Sequence, residues 1–219
     1  LFWPERRALL VADLHLEKAS WFAMRGQMLP PFDSNATLAR LTMLADRVDA
    51  AEIWALGDSF HDGAGPARLG RDAGQLLERL ARGRRLVWIA GNHDAAAAMP
   101  GERTEEAVFD GLILRHEAMA DAPCAEMSGH YHPKLRVRTA AQSLARPCFI
   151  QSGTKLILPA YGALTGGLDA TSPAIRAAVG ADYHALVATE RQLLRFPVTA
   201  SAPRRRGAAP HAGPRRPAP

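Results

Sequence analysis

Three short apolar runs, each ending in residues that can bind a metal or move a proton, constrain this chain more than any other feature. Leu86-Val87-Trp88-Ile89-Ala90 climbs to Gly91 and then to Asn92-His93-Asp94. Ala8–Ala12 ends in Asp13-Leu14-His15, and Glu52–Leu56 ends in Gly57-Asp58. A short apolar run bounded by turn residues reads as a buried strand. Gly91 lets the third strand break sharply at its end. Between the runs the period changes to that of a helix. Leu38, Leu41, Leu44, Ala45 and Val48 predict one over 35–48, with Asp33 or Ser34 as its cap. Leu69, Ala73, Leu76, Leu77 and Leu80 predict a second over 66–82. Strand, helix, strand, helix, strand with short connections makes a parallel sheet covered by helices. Parallel strands of one sheet end on the same side, so the three polar clusters should converge where α/β folds collect their ligands.

After Asp94 the texture changes. Ala107–Leu114, Ala125–Ser128, Leu135–Val137 and Pro147–Gln151 read as further strands, Ile175–Val179 as a short helix, and Tyr183–Thr189 with Gln192–Pro197 as a closing pair. This half is mostly β and predicts a second sheet against the first. The stretch from Glu17 to Phe32 is irregular and long for a loop, and such loops in compact domains are often functional. Trp54 and Trp88 belong to the core.

The 219 residues suffice for one domain of roughly 200 residues. No apolar run approaches the ~18 residues of a membrane helix, and the first residues lack a basic head followed by an apolar stretch. The expectation is a cytoplasmic protein, with Cys124 and Cys148 reduced. The formal charge of +5 is unevenly placed. Ser201–Pro219 carries five arginines and no acid; without them the 27 basic residues become 22, equal to the 22 acidic ones. We therefore expect one domain over 1–199 and a disordered Pro/Ala/Arg-rich tail over 200–219. The tail is either a solvated extension or a weak phosphate-binding arm.

The second half adds its own polar strand ends, Leu114-Arg115-His116-Glu117 and Ser128-Gly129-His130-Tyr131-His132-Pro133. Five of the chain's eight histidines thus lie at expected strand ends, together with Asp13 and Asp58. Imidazole with carboxylate suits first-row divalent metals such as Mn, Fe and Zn. Seven such groups are too many for one ion with a position open to substrate. They suit two ions roughly 3.5–4 Å apart, which polarise a phosphoryl oxygen and acidify a bridging water.

In residue type and chain order, Asp13-x-His15, Gly57-Asp58, Gly91-Asn92-His93-Asp94, His116 and Gly129-His130-x-His132 resemble the calcineurin-like metallophosphoesterases. The resemblance implies a four-layer α/β/β/α sandwich of two mixed β-sheets. It implies that Asp13, His15 and His132 hold one metal, that Asn92, His116 and His130 hold the other, and that Asp58 bridges them. A metal-bridging hydroxide would attack phosphorus, and His93 would act as general acid. Asp94 would orient His93 or cap the alanine-rich turn that follows. The implied cofactors are two divalent ions, manganese first, with iron, magnesium or zinc as alternatives.

A narrower likeness rests on Asp13-Leu14-His15-Leu16-Glu17-Lys18, Arg25-Gly26-Gln27-Met28-Leu29-Pro30-Pro31, Gly57-Asp58-Ser59-Phe60-His61-Asp62 and residues 159–167. These are similar to the bacterial ligase-associated DNA damage response endonucleases. That implies DNA as the phosphodiester substrate, and a DNA ligase, a helicase and an exonuclease-like protein as repair partners. The metal motifs alone leave a phosphomonoesterase or nucleotide phosphatase open, and a non-catalytic scaffold further off. Many relatives carry Gly-Asp-x-x-Asp at the second motif, where this chain has His61 and Asp62. His61 either approaches the metals or the phosphate, or is a loop histidine facing solvent. Arg25 and Lys18 are candidates for DNA backbone contact or ordinary surface charges. Residues 161–167 either approach phosphate through their backbone or only turn the chain.

Overall fold

The computed structural model describes residues 1–94, 99–138 and 142–199. The tail at 200–219 lies outside the described residues. The first sheet has five strands in spatial order β1 (Phe2–Trp3), β2 (Ala8–Ala12), β3 (Glu52–Leu56), β4 (Arg85–Ile89) and β5 (Glu102–Thr104). β1 is antiparallel to β2, and the others run parallel. The central strands are buried on both faces, and their period of two sorts side chains cleanly. Leu9, Val11, Ile53, Ala55, Leu86 and Trp88 pack against the helices, while Leu10, Trp54, Leu56, Val87 and Ile89 face the other sheet.

Four α-helices lie among the described residues of this half: α1 (Lys18–Ala23), α2 (Asp33–Arg47), α3 (Gly65–Arg68) and α4 (Arg71–Ala81). Three expectations are corrected here. The irregular stretch 17–32 holds α1. The helix expected over 66–82 breaks into α3 and α4, with Gly70 extended between them. Asp33 and Ser34 do not cap their own helix. The Asp33 carboxylate accepts from the N–H groups of Lys18 and Ala19 at 3.0 and 3.2 Å, and so caps the start of α1.

The second half holds β6 (Ala107–Phe109), β7 (Leu112–Leu114), β8 (Ala125–Ser128), β9 (Lys134–Arg138), β10 (Ser143–Pro147), β11 (Phe149–Ser152), β12 (Lys155–Ile157), α5 (Pro173–Val179), β13 (Tyr183–Ala188) and β14 (Leu193–Val198). Seven of these strands form a mixed sheet in the order β14-β13-β11-β12-β8-β7-β6, and β9 with β10 makes a separate hairpin. The single strand expected over 107–114 is a hairpin. Asp110 and Gly111 both take positive φ (45° and 84°), as a tight two-residue turn requires. β1, β5 and β12 were not expected, nor was β10 before Pro147. Ile175, Ala178 and Val179 of α5 pack on the outer face of the second sheet beside Ile150 and Ile157. The layers are therefore α2 with α4, first sheet, second sheet and α5: an α/β/β/α sandwich of two mixed sheets. No helix among the described residues is long and apolar enough to cross a membrane.

Candidate metal centre

The loops leaving β2 and β3 continue side by side beyond the strands. The N–H groups of Asp13, His15 and Leu16 donate to the carbonyls of Gly57, Asp58 and Ser59 at 3.2, 2.9 and 2.9 Å. Gly129 N–H donates to His116 O, and Gly162 N–H to Asp13 O. The polar strand ends of both sheets are thus tied into one floor. Among the described residues, nine non-glycine residues have positive φ, and five of them are Asp13, His15, Asp58, His130 and His132. Such strain collects where surrounding structure enforces it for function.

Two groups of donors stand on this floor. Asp13, His15 and His132 form one, and Asp58, His116 and His130 the other; within each, the donor atoms lie within 4.8 Å of one another. His15 Nε2 and His132 Nε2 are 3.1 Å apart, as are His130 Nδ1 and His116 Nε2. Asp58 stands between the groups. Its Oδ2 is 3.7 Å from His15 Nε2, and its Oδ1 is 3.5 Å from His116 Nε2. Asn92 reaches the second group, with Nδ2 3.4 Å from His130 Nδ1. Rotating the amide half a turn presents its oxygen at the same place.

The donors fit divalent cations in chemistry. Burial, then the neighbouring His132, Lys18, His61 and His93, lower the pKa of His15 to about 2, so it keeps the neutral form a metal needs. His116 turns Nδ1 to the Leu56 carbonyl at 3.2 Å, leaving Nε2 for the group. His130 turns Nε2 toward Glu117 Oε1 at 3.6 Å and leaves Nδ1. The Leu56 carbonyl behind the His116 ring fixes its tautomer, as a metal-binding histidine requires. The sequence hint for Glu117 was only its adjacency to His116.

Three glycines let the loops meet. A Cβ on Gly57 would fall 2.0 Å from His116 Nδ1, one on Gly91 would fall 2.1 Å from the Asp58 amide nitrogen, and one on Gly129 would fall 2.7 Å from Asp13 Oδ2. Gly91 has no positive φ. It is needed for close approach, not for the sharp break expected of it.

His93 N–H donates to Asp58 Oδ1 at 3.0 Å, and its half-exposed ring brings Nε2 to 3.9 Å from Asp58 Oδ2. Asp94 turns its carboxylate to backbone. Its Oδ1 accepts from the N–H groups of Ser59 and Phe60, and its Oδ2 accepts from Gly91 N–H at 3.0 Å. The carboxylate is thus spent on backbone, tying the β4 loop to the β3 loop, and is not turned to the His93 ring. The turn at 95–98 that it could have capped lies outside the described residues.

His61 belongs to the cluster. Its ring stacks on His93 (5.9 Å, 12°) and stands edge-on to His15 and Trp21. Burial, then Lys18 and His93, push its pKa down. Arg25 lies farther out, with its guanidinium 3.5 Å from the Trp21 ring centre. Lys134 and Arg40, which line a cleft with His132, were not foreseen. Lys134 follows the His-x-His turn by two residues, whereas nothing in the α2 pattern marks Arg40.

The family model of calcineurin-like phosphoesterases matches residues 6–162. A search of curated proteins finds no significant match. Among solved structures, the nuclease MPE of Pseudomonas putida is 30% identical over 85% of this chain and 86% of that one, with a TM-score of 0.64. Yfce, a phosphoesterase from E. coli, is 15% identical over 88% of this chain and 99% of that one, with a TM-score of 0.44.

Proposed function

The chain belongs to the calcineurin-like phosphoesterase family of metal-dependent phosphoester hydrolases, and from that premise we propose a two-metal phosphodiesterase that cuts DNA. The observation that carries the two-metal reading is Asp58, whose two carboxylate oxygens face one donor group each. In this reading Asp13, His15 and His132 hold one ion, and Asn92, His116 and His130 the other. Two divalent ions, manganese first, supply when bound a Lewis-acid pair and an activated hydroxide. The protein's residues do the rest. Asp58 and Asp13 place only two negative charges beneath an anionic phosphate. Asn92 adds a donor without cancelling positive charge. His93 projects from the floor, held by its own N–H on Asp58, and gives a proton to the departing oxygen. The flat stack on His61 keeps its ring in plane, and His61 lies close enough to the cluster to meet the phosphate too.

DNA as substrate is supported by the likeness to the nuclease from Pseudomonas putida. The motif likeness noted in the sequence extends the proposal to endonucleolytic action in ligase-associated repair in the cytoplasm, alongside a ligase, a helicase and an exonuclease-like protein. The test is Mn-dependent cleavage of circular single-stranded and duplex DNA. Cut circles support an endonuclease; circles left whole under turnover of linear DNA contradict it.

A further inference from the structure

Two joined clefts leave the metal centre on its His132 side. The inner one has a volume of about 220 Å³ and is walled by His132, Lys134, Arg40, Gly162 and Thr165. The outer one, about 460 Å³, shares Arg40, Pro147 and Ala160 with it and runs on to Met43, Tyr161 and Arg47. Neither is lined by an aspartate or glutamate among the described residues. Their characters differ. The inner cleft is cationic, with Lys134 anchored on the Thr165 carbonyl at 3.1 Å. The outer cleft is mostly apolar, with an arginine at each end. Arg40 stands where the two meet. Its guanidinium lies 4.2 Å from the Tyr161 ring centre and donates to the Tyr161 carbonyl. The guanidinium donors that Tyr161 does not hold serve the clefts.

The inner wall is built to stay put. Tyr161 N–H donates to Ala12 O and Ala163 N–H to Thr37 Oγ1. A Cβ on Gly162 would fall 2.2 Å from Leu14 O, and one on Gly167 would fall 2.2 Å from His132 O. Residues 159–167 are therefore clamped between the Asp13 loop, the His132 loop and α2.

The metal centre already accommodates one phosphoryl group. A second cationic cleft abutting a metal ligand has no use for a lone phosphomonoester. A chain of phosphates needs one. The geometry points to a nucleotide subsite that rests on the phosphodiesterase reading above: the inner cleft holds the phosphate next to the one being cut, and the outer cleft holds its nucleoside. Arg40 and Lys134 meet the phosphate with charge-assisted hydrogen bonds. The Arg40–Tyr161 stack offers a flat face to a base, tolerant of sequence because every base has a π face. Arg47 meets the phosphate beyond. These contacts lie outside the reacting atoms, so they act on strand binding.

The test compares the full-length Mn-loaded protein with its Arg40→Gln and Arg47→Gln variants on two substrates. One is bis-p-nitrophenyl phosphate, which has no flanking phosphate, and the other is a single-stranded deoxyoligonucleotide. The subsite predicts that the ratio of oligonucleotide to small-diester kcat/KM falls about tenfold in Arg40→Gln, chiefly through KM. It predicts a fall of about threefold and a shallower salt dependence in Arg47→Gln. Ratios within about twofold of wild type in both variants overturn the subsite while leaving the phosphodiesterase reading intact. No turnover of either diester by wild-type protein overturns both. Arg47 sits on the exposed side of α2, so its variant carries the test if Arg40→Gln fails to fold.

Discussion

Gly91 stands so close to Asp58 that a Cβ there would lie 2.1 Å from the Asp58 amide nitrogen and 2.4 Å from Oδ1. Backbone and a buried carboxylate cannot yield like the tip of a flexible side chain. Gly91→Ala should therefore push the β3 and β4 loops apart, lowering stability by on the order of 1–3 kcal/mol. It should also cut diester turnover by about 100-fold through misplacement of the donors. Gly74 in α4 is the contrast, because a Cβ there meets nothing within 4 Å. Gly74→Ala should raise stability by about 0.5–1 kcal/mol with turnover unchanged. Thermal melts and bis-p-nitrophenyl phosphate kinetics read both.

Asp58 faces both donor groups, so its loss should affect both ions. Asp58→Asn is expected to bind fewer than two manganese ions per chain by elemental analysis. Its turnover should fall beyond the roughly 10–100-fold effect typical of a merely supporting residue. Retention of two tightly bound ions would place the bridge elsewhere.

His93 and Asp94 are adjacent but should fail differently. His93→Ala should keep its metal and its melting temperature and lose about 10²–10⁴-fold in turnover. Asp94→Ala strips an acceptor from the N–H groups of Ser59, Phe60 and Gly91. It should cost about 1–3 kcal/mol of stability. Unchanged diester turnover in metal-loaded His93→Ala would remove the general acid from the scheme.

Much of this centre was legible because Asp13, Asp58 and Asn92 sit at the ends of strands whose apolar runs are strong. The continuous apolar runs of β2, β3 and β4 place Asp13, Asp58 and Asn92 at one edge whatever the details of the helices. What escaped the sequence is what needs three dimensions. Gly91 reads as a chain-breaker, yet its φ is ordinary and only the approach of Asp58 demands it. Asp94 reads as a partner for its neighbour, but its acceptors turn to backbone 34 and 35 residues away. Asp33 caps a helix that begins 15 residues earlier. Asp110-Gly111 is a turn signal in its own right, but the apolar residues on either side read as one continuous strand. β10 is mostly exposed and β12 is only three residues long, so partners fix them more than pattern does.

Cys148 gives a pH test on a group outside the donor set. It is fully buried, and burial raises its thiol from about 9 to about 12. Between those values the unfolded chain has released the proton and the folded chain has not, so stability falls as pH rises. Below pH 9 both states hold the proton and the effect vanishes. The slope from this one group is at most about 1.4 kcal/mol per pH unit. Denaturant melts from pH 8 to 10.5 should show a smaller alkaline loss in Cys148→Ala than in wild type. Alkylation at pH 8 should spare Cys148 until the chain unfolds.

The account turns on two ions sharing Asp58 and acting on a diester. Its most direct test is turnover of bis-p-nitrophenyl phosphate against equivalents of manganese added to metal-stripped protein, with p-nitrophenyl phosphate in parallel. The account predicts that diester turnover rises mainly with the second equivalent and exceeds monoester turnover. Full activity at one equivalent, or a strong preference for the monoester, would contradict it.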